Sequence, residues 1–163
     1  MNAMREMRRK KQELGREECE KIFENGSFGV LALLSADGPY AVPLSYVYDG
    51  GKFYFHSAPE GRKIEAVKFC DRASFCVVAA DEVLPEKYTT KYKSAVAFGR
   101  VRILGDEEKK KAAAVRLGLK YFPAGGYAGA AAEYAKSGAH MCAIEFSVDC
   151  MTGKQGKEFL TEN

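Results

Sequence analysis

The spacing of apolar and polar residues along the chain predicts four helices. In the first, at 16–25, the residues Cys19, Ile22 and Phe23 lie at helical spacing and share one face. The others are predicted, in chain order, at 61–69, 106–121 and 127–136. The third begins with three consecutive acidic residues, which suit the positive end of the helix dipole.

Six segments have the alternation or the continuous apolar character of β-strands. They lie at 28–34, 40–48, 52–56, 73–79, 94–103 and 141–148. Asp-Gly turns join the first three, so we expect these to form an antiparallel meander. Pro43 should lie at an edge or a bulge, because proline cannot donate to a ladder. Hairpins with inserted helices predict a mostly β fold, a small and mostly antiparallel β-barrel, rather than a βαβ sheet.

Length and composition indicate one domain over residues 1–163, since apolar residues make up 47% of the chain and can form a sizeable core. A basic arm at 1–15 precedes this core, and a polar tail at 151–163 is expected to lie over its surface. The arm could contact nucleic acid or anionic lipid. Because the formal net charge is only +3, we favour a solvated arm and expect neither a nucleic-acid nor a membrane partner.

Several classes of chemistry lack their sequence signatures. The five cysteines are odd in number, scattered and never in CxxC spacing, so we expect neither a disulfide framework nor a metal site. The GxGxxG, GxxxxGK[ST] and GxSxG motifs are absent. No signal-peptide pattern and no apolar run of membrane length is present, so a cytoplasmic protein is expected.

The segment 53–63 carries the most informative functional pattern. After an aromatic strand, Ser57 offers a hydroxyl, Gly61 allows close backbone approach, and Arg62 and Lys63 add charge at a helix start. This order predicts a site for a phosphate-bearing cofactor, although an ordinary helix start has the same residues. Aromatic residues favour the cofactor, because a flavin ring needs apolar and aromatic walls. Besides those of the strand, nearby rings come from Tyr40, Tyr46, Tyr48, Tyr54, Tyr88 and Tyr92.

Two further features leave alternatives open. His56 could hydrogen-bond a cofactor or act as an acid near neutral pH, but we favour a structural role at the strand end. A charged loop is expected at 81–94, with its acidic residues solvated. Its alternating lysines and tyrosines indicate a cofactor site or a dimer contact in preference to single-stranded nucleic acid.

Several segments of the chain resemble those of a known family. They lie at 39–46, 51–58 with 61–63, and 94–101, and a weaker resemblance is found at 7–10 and 151–154. The chain resembles the pyridoxamine 5′-phosphate oxidase-related, FMN-binding split-barrel proteins, in the branch of NimA-type nitroimidazole resistance proteins. The resemblance implies a split barrel with an antiparallel six-stranded core and inserted helices. It also implies a homodimer with FMN at the subunit interface.

The resemblance assigns site residues by match. Those expected to line the flavin ring are Val42, Pro43, Leu44 and Ser45, and those expected to flank the ribityl chain are His56, Ser57 and Ala58. The phosphate would be held by Arg62 and Lys63. The residues expected to come from the partner chain, or to close the ring edge, are Tyr92 and Ser94.

The function implied is an FMN-dependent oxidoreductase. It would reduce small nitroaromatic or quinone-like acceptors with electrons from NAD(P)H, and His56 is the one candidate catalytic residue. A non-enzymatic flavin- or haem-binding carrier or sensor remains the alternative. Pyridoxamine 5′-phosphate oxidase activity is less expected, because the chain lacks a cationic C-terminal segment suited to pyridoxal phosphate.

Overall fold

The computed structural model describes residues 6–160, which form one antiparallel sheet with helices around it. The strands are β1 (Glu13–Leu14), β2 (Phe28–Ser35), β3 (Gly38–Ser45), β4 (Val47–Asp49), β5 (Lys52–Ser57), β6 (Arg72–Leu84), β7 (Thr89–Ile103) and β8 (Cys142–Gln155). The α-helices are α1 (Arg16–Asn25), α2 (Arg62–Phe69), α3 (Glu107–Tyr121) and α4 (Gly126–Ser137). Short 3₁₀ turns lie at Lys10–Gln12, Pro85–Lys87, Pro123–Gly125, Gly138–His140 and Lys157–Leu160.

The strand order shows that the sheet is open, with no hydrogen-bonded ladder between its two end strands. The order is β3-β2-β6-β7-β8-β5-β4, with β1 paired to β8, so β3 and β4 are the two ends of an open sheet. Only Tyr46 separates these two strands in the chain. Because one residue spans only a few ångströms, the sheet must curl until its ends approach each other. The predicted mostly antiparallel β fold with helices is confirmed, with eight strands in the described residues instead of six.

Tyr46 also explains why the predicted meander is wrong. The segment predicted as one strand is interrupted because Tyr46 is fully buried, and its hydroxyl donates to the Phe23 carbonyl at 2.7 Å. Its N–H donates to the Tyr121 hydroxyl at 2.8 Å. Both hairpins form, but β3 pairs with β2 and β4 pairs with β5 at opposite ends of the sheet. Pro43 lies in an edge strand, as predicted.

The core inside the curled sheet is an aromatic cluster centred on Phe53. The centroid of its ring lies 4.9 Å from those of Phe23 and Phe75, and 4.8 Å from that of Tyr48. The fully buried rings are Phe23, Tyr46, Phe53, Phe55, Phe75 and Phe146. Each such burial contributes about 2 kcal/mol to folding, so this cluster is a main source of stability.

Two segments predicted as irregular are strands. The predicted loop at 81–94 is wrong, because β6 and β7 stay paired as far as Leu84 and Thr89, and a 3₁₀ turn joins them. Asp81 and Glu82 are exposed, as predicted, while their backbone belongs to the hairpin. The predicted surface tail is wrong at 151–155, which continues β8 and pairs with β7.

The basic arm is described only in part. Its residues 13–14 form β1, which pairs with β8 at Gly153 and Lys154. The positions 1–5 of the arm and 161–163 of the tail lie outside the described residues.

Candidate functional site

The turn between β5 and α2, residues 57–63, has the backbone of an anion site. Ser57 ends β5 opposite Cys142 of β8, and Gly61 precedes α2 with φ +105°, a conformation that strains residues with a side chain. Among residues 6–160, no side chain caps the start of α2. The first-turn N–H groups of this helix are therefore not taken by a capping side chain, and they lie at the positive end of the helix dipole.

Arg62 and Lys63 add positive charge that no carboxylate in residues 6–160 neutralises through an ion pair. The Arg62 guanidinium lies 4.9 Å from the centroid of the Tyr40 ring, and this contact links α2 to β3. Lys63 is half-buried, and burial lowers its pKa while the nearby Cys142 thiol opposes the shift. Within the described part of the chain, neither cation forms an ion pair with a carboxylate. This is the arrangement that a phosphate requires.

The predicted ring-lining residues of β3 alternate between two faces. Val42 and Leu44 pack against the core, whereas Pro43 and Ser45 are exposed on the outer face. Only Pro43 and Ser45 can therefore present side chains to an outer ligand, and the other two can offer backbone atoms.

Ser45 and His56 meet at one cavity, although β3 and β5 are not neighbours in the sheet. The cavity has a volume of about 340 Å³, in the range of small-molecule sites. Its other lining residues are Ala114, Leu117, Gly118, Tyr121, Ala130, Glu133, Tyr134, Ser137 and Met141. His56 immediately precedes Ser57, the last residue of β5, while the residues of the turn itself do not line this cavity. The structure thus brings two of the predicted residues, Ser45 and His56, together at one cavity.

Helices α3 and α4 form the wall that sequence reasoning missed. They pack closely because Gly118 has no side chain: a Cβ there would lie 2.9 Å from the Cβ of Ala130. The small residues at Ala114 and Gly118, one turn apart, were the signal that could have indicated this contact.

Most tyrosine hydroxyls at this wall already have protein partners. The Tyr134 hydroxyl donates to the Glu107 carboxylate, and burial together with this bond raises the pKa of Tyr134 to about 12. The Tyr121 hydroxyl lies 2.5 Å from the Ser27 carbonyl oxygen and 2.9 Å from that of Tyr46. These rings present apolar surface, which leaves His56 and Ser45 among the polar groups that can orient a ligand.

The aromatic wall expected from the strand itself is not there. Phe53 and Phe55 point inward and are fully buried, because alternate strand residues face opposite sides. Of the other rings, Tyr46 lies in the core and Tyr88 is 99% exposed at the tip of the β6–β7 hairpin. The expected aromatic wall is therefore wrong for these four rings, whereas the predicted Tyr40 ring does lie at the turn, 4.9 Å from the Arg62 guanidinium.

Tyr92 and Ser94 lie far from the turn within one chain. Ser94 pairs with Lys154 of β8, whereas Ser57 pairs with Cys142. These two positions on β8 are twelve residues apart, which is about 40 Å along a strand. Within one chain, Tyr92 and Ser94 therefore do not reach the residues of the β5–α2 turn.

Residues 6–160 contain neither a candidate metal site nor a candidate membrane span. No group of three or more histidine, cysteine or acidic side chains is placed to hold a metal ion. No helix in this part of the chain is long and apolar enough to cross a membrane.

Comparison with known proteins gives one family. The family model described as "Pyridoxamine 5'-phosphate oxidase" matches residues 15–155. A curated relative, an uncharacterised protein of Rhizobium meliloti, is 30% identical over 91 residues, which is 56% of either chain. The match thus spans little more than half the length of that relative.

Three solved structures share the fold. A candidate 5-nitroimidazole antibiotic resistance protein from Bacteroides thetaiotaomicron has a TM-score of 0.71 and 22% identity, over 87% of this chain and 85% of its own. A FAD- and haem-binding protein from Mycobacterium smegmatis has a TM-score of 0.73 and 19% identity, over 94% and 80%. A FAD-binding protein from Mesorhizobium loti has a TM-score of 0.61 and 25% identity, over 89% and 97%.

Proposed function

This chain belongs to the pyridoxamine 5′-phosphate oxidase family, and we propose that it is a flavoprotein that reduces small electron acceptors with electrons from NAD(P)H. The observation that carries the proposal is the β5–α2 turn, whose two cations lack carboxylate partners in the described residues. His56, near the end of the strand that leads into this turn, lines a cavity of about 340 Å³. A bound flavin would supply the redox chemistry. Nitroaromatic and quinone-like molecules are the acceptors proposed, because they are small and flat.

The residues present fit the flavin mononucleotide portion that FMN and FAD share, and FMN is the form predicted from the sequence. Arg62, Lys63 and the first-turn N–H groups of α2 would hold the phosphate. Gly61 lets the backbone approach it closely, and Ser57 supplies a hydroxyl. His56 and Ser45 would orient the ring and the acceptor at the cavity.

The chain's share of the work is binding and orientation. The apolar walls from α3 and α4 would exclude water, and the exposed imidazole of His56 offers ring nitrogens for a hydrogen bond to the ligand. The two roles proposed for His56, catalytic and structural, differ in that only the first requires an ionisable group.

We propose further that a second copy of the chain completes the site. The outer face of β2, β6 and β7 exposes large apolar side chains, and soluble monomers seldom leave such patches uncovered. These residues are Phe28, Val30, Val78 and Phe98. Ser94 lies on this same face, since its neighbour Ala95 is buried. A homodimer that covers the face would bring the partner's Ser94 and Tyr92 towards the flavin.

A flavin- or haem-binding carrier or sensor is the second candidate function. It is favoured by the His56 side chain at a largely apolar cavity, because an imidazole there could ligate a haem iron. One structural neighbour is itself described as binding both FAD and haem. Flavin absorption bands in the purified protein support either function, a Soret band favours haem, and turnover of NAD(P)H with a nitroaromatic acceptor favours the reductase.

The deciding experiment replaces both cations of the turn. Arg62→Ala with Lys63→Ala should weaken FMN binding at least about tenfold, because each charge-assisted contact contributes about 1.5–3 kcal/mol. Binding is measured by flavin fluorescence on flavin-free protein. The matched control is Lys10→Ala with Lys11→Ala, another adjacent cation pair, which should bind FMN normally. Unchanged FMN affinity in the Arg62 and Lys63 variant would refute the phosphate site.

A further inference from the structure

A second groove begins at the β5–α2 turn and runs along the outer side of α2. It has a volume of about 370 Å³ and lies between α2 and the turn that joins β2 to β3. We call it the α2 groove, and its lining includes Asp37, Arg62, Glu65, Lys68 and Phe69. Arg62 belongs both to this groove and to the proposed phosphate site, so the two are continuous.

The groove presents its chemical groups in a definite order along the helix. Arg62 is the first residue of α2 and Phe69 the last, about 10 Å further along the axis. Lys68 stands beside Phe69, and neither Arg62 nor Lys68 forms an ion pair with a carboxylate in the described residues. Phe69 is 58% exposed, so its ring has a free surface on which a planar group can stack.

These groups match the parts of an adenosine diphosphate unit. Two cations without carboxylate partners suit a pyrophosphate, since each can donate to phosphate oxygens. A carboxylate such as Glu65 or Asp37 can accept hydrogen bonds from ribose hydroxyls, as acidic residues do in nucleotide-binding folds. The exposed face of Phe69 offers a surface on which a purine can stack.

We propose that the α2 groove binds the adenylate half of FAD, so that this chain selects FAD over FMN. The proposal rests on the proposed flavin site, because the second phosphate of FAD is joined to the phosphate expected at Arg62 and Lys63. Because Arg62 also lines the α2 groove, this second phosphate would lie at the start of that groove. The adenylate of NAD(P)H has the same chemistry but no such connection to the turn.

The test compares both flavins on the full chain. Flavin released from the purified protein and identified by chromatography is expected to be FAD. On flavin-free protein, FAD should bind about tenfold more tightly than FMN, from stacking and one added ionic contact. Lys68→Ala with Phe69→Ala should abolish this preference and leave FMN affinity unchanged. Both side chains are exposed, so the variant should fold, and Lys68→Glu alone should weaken FAD binding selectively.

The matched control is Lys87→Ala with Tyr88→Ala, an adjacent lysine and aromatic residue at the tip of the β6–β7 hairpin, which should keep the preference for FAD. Equal affinity of the wild-type protein for FMN and FAD would overturn the proposal while leaving the flavin site standing. So would a variant that raises the KM for NADH or weakens dimerisation without changing the preference. If the wild-type protein binds neither flavin, the proposed function fails and this inference with it.

Discussion

The cations at the two ends of β5 differ in whether a carboxylate pairs with them. At the first residue, the Lys52 ammonium lies 3.2 Å from a carboxylate oxygen of Glu145, whose other oxygen lies 2.7 Å from the Arg102 guanidinium. The Glu145 side chain is only 5% exposed. Beyond the last residue of β5, about 17 Å away along the strand, Arg62 and Lys63 have no such carboxylate in the described residues.

The difference separates charge that supports the fold from charge that is available to a ligand. Glu145 is buried and therefore depends on its two cations, whereas those cations are partly solvated and depend less on it. At the β5–α2 turn, the cations satisfy no buried group among residues 6–160. Removing charge should therefore cost stability at one end of β5 and ligand binding at the other.

The largest effect is expected at the Glu145 end. Lys52→Ala with Arg102→Ala should lower the free energy of unfolding by about 2 kcal/mol, because the buried carboxylate loses both of its partners. The loss is smaller than for a fully buried ion pair, because both cations are partly exposed to solvent. Urea denaturation followed by circular dichroism measures the change. A variant as stable as the wild-type protein would show that Glu145 is solvated without these cations.

The pH dependence of stability tests the same carboxylate with a smaller effect. Burial alone raises the pKa of Glu145, but the hydrogen bonds from Lys52 and Arg102 outweigh it and hold the pKa below its ordinary value of 4.5. A lowered carboxyl pKa stabilises the fold above pH 4.5, and this contribution is lost as the pH falls through the native pKa. Glu145→Gln should therefore flatten the acid side of the stability profile, by at most about 1.4 kcal/mol per pH unit. An equally steep profile in the variant would assign the acid sensitivity to other groups.

The smallest effect is expected at the β5–α2 turn. In flavin-free protein, Arg62→Ala with Lys63→Ala should change the free energy of unfolding by less than about 0.5 kcal/mol, because these side chains satisfy no buried group. Thermal denaturation of the two double-alanine variants, recorded side by side, gives the comparison directly. A loss at the turn equal to that at Glu145 would mean that Arg62 and Lys63 are structural.

The turn could be predicted from the sequence because its parts are consecutive. Ser57, Gly61, Arg62 and Lys63 lie within seven positions of one another, so strand, turn and helix start follow directly from residue order. The helix predicted at 16–25 matched α1 for the same reason, since its pattern is local.

Features that depend on distant parts of the chain were missed or wrong. Nothing local in 40–48 indicates that Tyr46 is held by hydrogen bonds to Phe23 and Tyr121, which split the segment into two strands. The cavity at Ser45 and His56 requires α3 and α4, which lie more than fifty positions further along the chain. Aromatic residues in β5 indicated a ligand wall, yet only the pairing of β5 with β8 decides which rings face inward.

The position of β8 has a consequence for how the molecule is made. Among the described residues β8 is the last strand in sequence, yet it lies inside the sheet and pairs with β7, β5 and β1. A ribosome delivers β5 more than eighty residues before the strand that must hold it in place. Until Cys142–Gln155 emerges, the β4–β5 hairpin has no neighbour to join it to the rest of the sheet. The β5–α2 turn therefore takes its final shape only after β8 has been synthesised and has joined the two parts of the sheet.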